Sequence, residues 1–372
     1  MHLLGQQRIV IGLLDGFGLP YYNDSTMPNL KRMASEGIFR HVTGAFPSVT
    51  NVNNVSIACG AWPYRHGIVG NSYYDKSTSS AQYMNAADFV RAPTIFQKAG
   101  RLGVKSALLT CKRKTLELFA RDVDLAVAAE DPPPEFAKQY GNPPDIYSRE
   151  INFWLWRVAA DLLANRPEIQ LLYVHTTDYP MHAWAPDQKE SRQHLSQLDE
   201  CIGNAVEAAP RTAFLLTADH GMNPKRRCWD LSKVLNEAGT PVEFVLSPER
   251  DYYVKHHRNF TGCAWIWLGD AEPNRVNDVL EDLEGVERVI SRKDTAREFN
   301  LPSGPIGDLT VLGDADTMFG EMDTTHEKLP DSYRAHGSLH EMDLPLIIFN
   351  PKDAPLAEGL KGNKDLTSIL AP

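Results

Sequence analysis

The sequence predicts an α/β protein, with a mostly parallel sheet flanked by helices and a small α+β cap inserted ahead of the last core strand. Two observations carry this. Up to about residue 218, apolar runs of strand length alternate with segments of helical period. Between about residues 250 and 330 that alternation gives way to short strand-like and helical segments in a different order. A chain of 372 residues is long enough for a large core with such an insertion.

Taken in order, residues 8–14 form the first strand and 28–37 a helix; 105–110 form the next strand. A helix at 149–165 feeds a strand at 169–176, and a helix at 188–208 feeds one at 212–218. Strands joined through helices need crossover connections, so they run parallel. The cap reads as a strand at 263–268, a helix at 272–283, and strands at 286–290 and 308–312. The chain then returns to the core for a strand at 344–349. This divides it into a core, 1–250 with 331–372, and a cap, 251–330. Residues 131–134 and 141–145 read as exposed loops.

Composition excludes more than it selects. Hydrophobic residues at 42% and charged residues at 23% belong to a globular chain, and a net charge of -10 argues against nucleic acid as a partner. The apolar run 9–14 is too short to span a bilayer or to serve as a secretory signal, so no membrane partner and a cytoplasmic location are expected. Five scattered cysteines without a CxxC pair provide neither a disulfide framework nor a cysteine zinc site. No motif fixes the oligomeric state, and a homodimer stays open.

The chemistry gathers where strands end. Asp15, Asp178 and Asp219 each follow an apolar strand, and in a parallel sheet those ends share one edge, where open α/β folds bind ligands. His182 lies four residues after Asp178, on the same face of a helical turn, and His220 follows Asp219 directly. Converging carboxylates repel one another unless cations sit among them, and carboxylate with neutral imidazole is a ligand mixture for zinc. His336, just ahead of the last core strand, is the candidate third histidine, with His340 its competitor.

Thr50 falls at the start of a helical segment, where free N–H groups and the helix dipole favour a phosphoryl group. Its hydroxyl is a weak nucleophile that metal coordination could activate. Lys112 and Lys114 follow the 105–110 strand and, in extended chain, would point the same way, with Arg113 opposite. His256 and His257 read as solvated cap histidines, and the aromatic stretch 153–156 as a buried helix face.

Together, Leu14-Asp15-Gly16, Pro47-Ser48-Val49-Thr50-Asn51, His66-Gly67-Ile68, Thr177-Asp178 with His182, Asp219-His220-Gly221 and His336-Gly337 resemble the alkaline phosphatase superfamily, in its nucleotide pyrophosphatase/phosphodiesterase branch. Gly70-Asn71-Ser72-Tyr73-Tyr74-Asp75, Arg91-Ala92-Pro93-Thr94-Ile95 and Ala218-Asp219-His220-Gly221-Met222-Asn223 are similar to phosphonoacetate hydrolases within it. The resemblance runs from near residue 8 to near residue 350 and implies an alkaline phosphatase-like core. It implies one zinc bound by Asp15, Thr50, Asp219 and His220 and a second by Asp178, His182 and His336, with manganese the less favoured metal. It also implies Thr50 as nucleophile, Asn71 as donor to a phosphoryl oxygen, and Lys112 with Lys114 as holders of a substrate carboxylate. The expected activity is hydrolysis of the carbon–phosphorus bond of phosphonoacetate or a related carboxyphosphonate. The alternative is a phosphodiesterase with the same nucleophile and metals, its base slot furnished by Tyr73 and Tyr74.

Overall fold

A computed structural model describes residues 4–119, 121–353 and 357–370, so the outermost residues of the expected core lie outside the described chain. Six strands of the central sheet precede the cap: β1 (Ile9–Leu13), β2 (Ile38–Thr43), β3 (Lys105–Thr110), β4 (Leu125–Ala128), β5 (Ile169–His175) and β6 (Ala213–Thr217). Four more follow in the cap, β7 (Phe244–Leu246), β8 (Cys263–Trp267), β9 (Val286–Ser291) and β10 (Leu309–Gly313), before β11 (Asp343–Phe349) closes the core. The central sheet has the order β2-β11-β6-β1-β5-β3-β4. The run β6-β1-β5-β3-β4 is parallel throughout, while β11 lies antiparallel to both of its neighbours.

Every residue of β1 and β6 is buried, as unbroken apolar runs require when helices cover both faces of a sheet. The flanking helices include α1 (Pro28–Glu36), α2 (Thr50–Cys59), α3 (Arg113–Phe119), α4 (Glu150–Asn165), α5 (Tyr179–Ala183) and α6 (Lys189–Ala208). Helix α4 packs on α6 and α6 on α1, whereas α2 contacts α3. The expected aromatic face of α4 is buried at Phe153, Trp154 and Trp156. Gly12 lets that face reach the sheet: a Cβ there would lie 2.4 Å from Leu216 Cδ2 and 3.1 Å from Trp156 Cζ2.

The cap strands form an antiparallel sheet in the order β7-β8-β10-β9, beginning at Phe244. A hairpin of Ser72–Asp75 with Ser80–Tyr83, and β4, are additions to the elements expected from sequence. A helix, Pro134–Tyr140, follows the first expected loop, with proline at its first position, where a missing N–H costs nothing.

Trp156→Ala removes the largest side chain wedged between α4 and β1. A loss of about 3–5 kcal/mol in urea unfolding is expected; a loss under about 1 kcal/mol would show that this contact does not organise the core.

Candidate active site

Strand register places the acids. Leu13 pairs with both His175 and Thr217, so β1, β5 and β6 end side by side. Asp15, Asp178 and Asp219 therefore leave the sheet along one edge, and all three are buried. Gly16 makes the turn after Asp15 with φ +75, a conformation that side chains rarely adopt, and a Cβ there would come within 3.1 Å of Asp178 Cβ. Its N–H donates to Asp219 Oδ1 at 3.0 Å, tying two of the acids together.

Thr50 is the first residue of α2, and its Oγ1 lies 3.4 Å from His220 Nε2. That nitrogen is also 3.4 Å from Asp15 Oδ1 and 3.5 Å from Asp219 Oδ2. On the other side, His182 Nε2 is 3.0 Å from Asp178 Oδ2, and His336 Nε2 is 3.8 Å from the same oxygen. The rings of His220 and His336 stack at 3.6 Å, which joins the two halves. His340, the competitor of His336, faces away and pairs with Glu287 at 2.8 Å.

The three histidines share one device. Each holds Nδ1 against a backbone carbonyl: His182 on Arg334 at 2.7 Å, His220 on Gly221 at 3.0 Å, His336 on Ser48 at 2.8 Å. With Nδ1–H donating, each Nε2 offers its lone pair inward, the orientation that metal-ligating histidines are given by such partners. Burial lowers the pKa of His220 and, with His220 and His182 as neighbours, that of His336, so both stay neutral.

The carboxylates show the cost of their crowding. Burial and then Asp15 push the Asp219 carboxyl well above the usual range. Burial and Asp178 act the same way on Asp15, but Lys112 and His175 outweigh them and hold it low. Asp15 Oδ1, Asp219 Oδ2 and His336 Nε2 are buried without a hydrogen-bond partner. Donor atoms of Asp178, His220 and His336 lie within 4.8 Å of one another, as do those of Asp15, His175 and Asp219 and those of Asp178, His182 and His256. Oxygen and imidazole donors, buried and convergent, three of them without a partner, fit divalent cations of the zinc class.

Lys112 and Lys114 are both buried, but not through strand alternation. β3 ends at Thr110 and Lys114 lies within α3, so a turn and a helix set their directions, while Arg113 turns outward to Glu117 and Asp131. Lys112 Nζ bridges Asp15 Oδ2 at 2.7 Å and Asp178 Oδ1 at 2.9 Å, and Lys114 pairs with Asp251. Asn71 accepts from Asn51 N at 3.1 Å and donates to Glu249 Oε1 at 3.1 Å.

The cap histidines are not solvated as expected. The short helix α7 (Val254–His257) packs on α5 and buries them. Their side chains are 4% and 2% exposed, with His256 3.6 Å from Asp178 and His257 3.0 Å from Asp251. Sequence reading also passed over His175, 3.3 Å from Asp15, and the cap acids Glu249 and Asp251. His175 ends an apolar strand and could have been flagged by that position; Glu249 and Asp251 carry no local signal.

A fully buried ion pair braces the loops behind the site. Lys225 Nζ lies 2.8 Å from Glu341 Oε1; Glu341 Oε2 accepts from Ser338 N and Oγ at 3.0 and 2.7 Å, and its carbonyl accepts from Gly221 N at 2.7 Å. One residue thus fixes the turns that follow both His220 and His336.

A family model described as type I phosphodiesterase / nucleotide pyrophosphatase matches residues 9–339. Among curated relatives, a Schizosaccharomyces pombe pyrophosphatase/phosphodiesterase is 25% identical over 59% of this chain and 45% of its own. Crotalus adamanteus venom phosphodiesterase 2 is 27% identical over 58% of this chain and 27% of its own. The chain thus spans less than half the length of either. Among solved structures, Sinorhizobium meliloti phosphonoacetate hydrolase in complex with phosphonoacetate is 29% identical, with a TM-score of 0.86 over 98% of this chain and 96% of that one. Murine ectonucleotide pyrophosphatase/phosphodiesterase 5, at 16% identity and a TM-score of 0.70, shares the fold. No helix among the described residues is long and apolar enough to cross a membrane.

Burial opposes charge on Glu341, but Lys225 and the Ser338 donors hold its carboxyl below the usual range. Its stabilising contribution is therefore present above the ordinary glutamate value of about 4.3 and lost as pH falls through the lower folded value. Thermal melts of wild type and Glu341→Gln should differ most above about pH 5 and converge in acid; a gap independent of pH would contradict the ion-pair assignment.

Proposed function

Because the chain belongs to the type I phosphodiesterase / nucleotide pyrophosphatase family, we propose that this hydrolase cleaves the carbon–phosphorus bond of phosphonoacetate or a related carboxyphosphonate to phosphate and acetate. The observation that carries the reading is Thr50 Oγ1 at the first residue of α2, 3.4 Å from His220 and beside the buried acids. A hydroxyl so placed can attack a phosphoryl group docked on the N–H groups of the helix start. The likeness to phosphonoacetate hydrolase over nearly the whole of both chains supports the substrate class.

Two divalent ions, zinc by ligand type, would be held by Asp15, Thr50, Asp219 and His220 and by Asp178, His182 and His336, and would supply charge neutralisation and an acidified hydroxyl. Within that frame Asn71, its amide oriented by Asn51 N, donates to a phosphoryl oxygen. Lys114 takes the substrate carboxylate. Thr50 Oγ1 forms a bond to phosphorus as the carbon–phosphorus bond breaks, and the electron pair delocalises into the adjacent carboxylate as an enolate-like dianion. Lys112 and Lys114, both buried, offset that charge where it develops. Protonation at carbon gives acetate, and water then cleaves the phosphothreonine to release phosphate.

The second reading, a phosphodiesterase with the same Thr50 and two zinc ions, draws on the family match and on relatives such as the venom enzymes. It needs room for a base, yet Tyr74 stacks on Phe244 at 4.3 Å and Tyr73 packs on Phe89 at 5.1 Å, so both rings serve the packing.

Phosphate release from phosphonoacetate, measured beside hydrolysis of a nitrophenyl phosphodiester, separates the two. Wild type should favour phosphonoacetate, and Thr50→Ala should lower kcat by about a thousandfold or more. Faster diester turnover with no phosphate from phosphonoacetate would establish the second reading instead. Zinc titration by calorimetry should find two ions per chain in wild type and one in His336→Ala, whereas equal stoichiometry would remove His336 from the ligand set.

A further inference from the structure

We propose that His175 is a positioning residue for the reaction. It holds Asp15 so that one carboxylate oxygen faces the cation beside Thr50, and it ties that carboxylate to the helix carrying the nucleophile. This deepens the two-ion reading above and rests on its placement of Asp15.

The two oxygens of Asp15 face different kinds of neighbour. Oδ2 takes Lys112 Nζ at 2.7 Å and His175 Nε2 at 3.3 Å, whereas Oδ1, 3.4 Å from His220 Nε2, is buried without a hydrogen-bond partner. Donors that occupy one oxygen leave the other to serve as ligand, and carboxylates that hold cations are oriented by such contacts. The backbone is held as well, since Asp15 N donates at 2.9 Å to Oγ1 of Thr176, the residue after His175.

The neighbours of Nδ1 decide where the ring proton sits. Tyr173 Oη donates to Asn54 Oδ1 at 2.6 Å, which turns the Asn54 amide nitrogen toward His175, 3.1 Å from Nδ1 and 3.4 Å from Nε2. An amide nitrogen only donates, so Nδ1 accepts and the proton stays on Nε2, aimed at Asp15. His182, His220 and His336 are arranged the other way, with Nδ1 on a backbone carbonyl and Nε2 open to an ion. His175 shares a donor group with Asp15 and Asp219, yet its protonated Nε2 has no lone pair to give. It therefore stands behind Asp15 as a donor, not beside it as a ligand.

The same ring joins three segments. Asn54 lies one turn beyond Thr50 on α2, so the nucleophile helix is held through its amide. Oγ1 of Thr110 and of Thr115 lie 3.1 and 3.2 Å from Nδ1, and Thr110 Oγ1 also accepts from Lys112 N at 3.1 Å. All of these side chains are buried. One imidazole thus fixes α2, the Lys112 turn and the Asp15 carboxylate against one another.

The test measures zinc affinity by chelator competition, and the visible spectrum of the cobalt-saturated protein, in wild type, His175→Met, His175→Gln and Asn54→Leu. His175→Met, which fills the space but cannot donate, should weaken one of the two sites by about ten- to a hundredfold. His175→Gln, whose amide restores a donor toward Asp15, should recover most of that loss and keep the wild-type cobalt spectrum. Asn54→Leu should weaken the same site in a protein that retains His175. Wild-type affinity at both sites in His175→Met, with only the melting temperature lowered, makes His175 a packing residue and overturns the proposal. Should His175→Met fail to fold, unchanged affinity in the other two variants overturns it equally. A loss in His175→Gln as large as in His175→Met, with an altered cobalt spectrum, makes His175 a ligand and also overturns it. Wild type that takes up no zinc removes the two-ion reading on which the proposal stands.

Discussion

Repulsion among Asp15, Asp178 and Asp219 shapes everything at the C-terminal edge of the central sheet. Strand register leaves these carboxylates no freedom to separate, because Leu13 is paired on both sides and the acids follow within a few residues. Lys112 reaches only Asp15 and Asp178, and Asp219, without such a partner, has its ionisation driven to higher pH. Three histidines turn Nε2 toward this charge while backbone carbonyls hold their other nitrogens. Cations would answer the repulsion, and the reactivity proposed for Thr50 would follow from them.

The cap completes what the sheet begins. Its segment from Glu249 to His257 comes down on the strand ends, bringing two carboxylates and two imidazoles against Asn71, Lys114 and Asp178. Lys114 is buried because Asp251 compensates it, so the proposed carboxylate site depends on both parts of the chain. Behind it, the Lys225–Glu341 pair locks the two turns that carry His220 and His336. Site geometry therefore rests on contacts far apart in sequence.

That division explains what could be read from the sequence. β1, β5 and β6 are largely apolar runs of strand length, each followed within a few residues by an acid, so those runs located both the strands and their shared edge. Ser72–Asp75 with Ser80–Tyr83, and β4, are four-residue strands, too short for a period to register. The lysine pair was placed by strand geometry, but the chain turns after Thr110 and enters α3, and a helical step, not a pleat, turns Arg113 outward. His256 and His257 looked like surface residues because nothing nearby in sequence buries them; α5 and the edge of the core do so across a long separation. Glu249 and Asp251 matter only through partners distant in the chain, which no local pattern encodes.

Anomalous diffraction from a crystal grown with zinc tests the central claim most directly. The expected result is two peaks, one among Asp15, Thr50, Asp219 and His220 and one among Asp178, His182 and His336. A single peak elsewhere, or Lys112 still bridging Asp15 and Asp178 with no metal beside them, would contradict it.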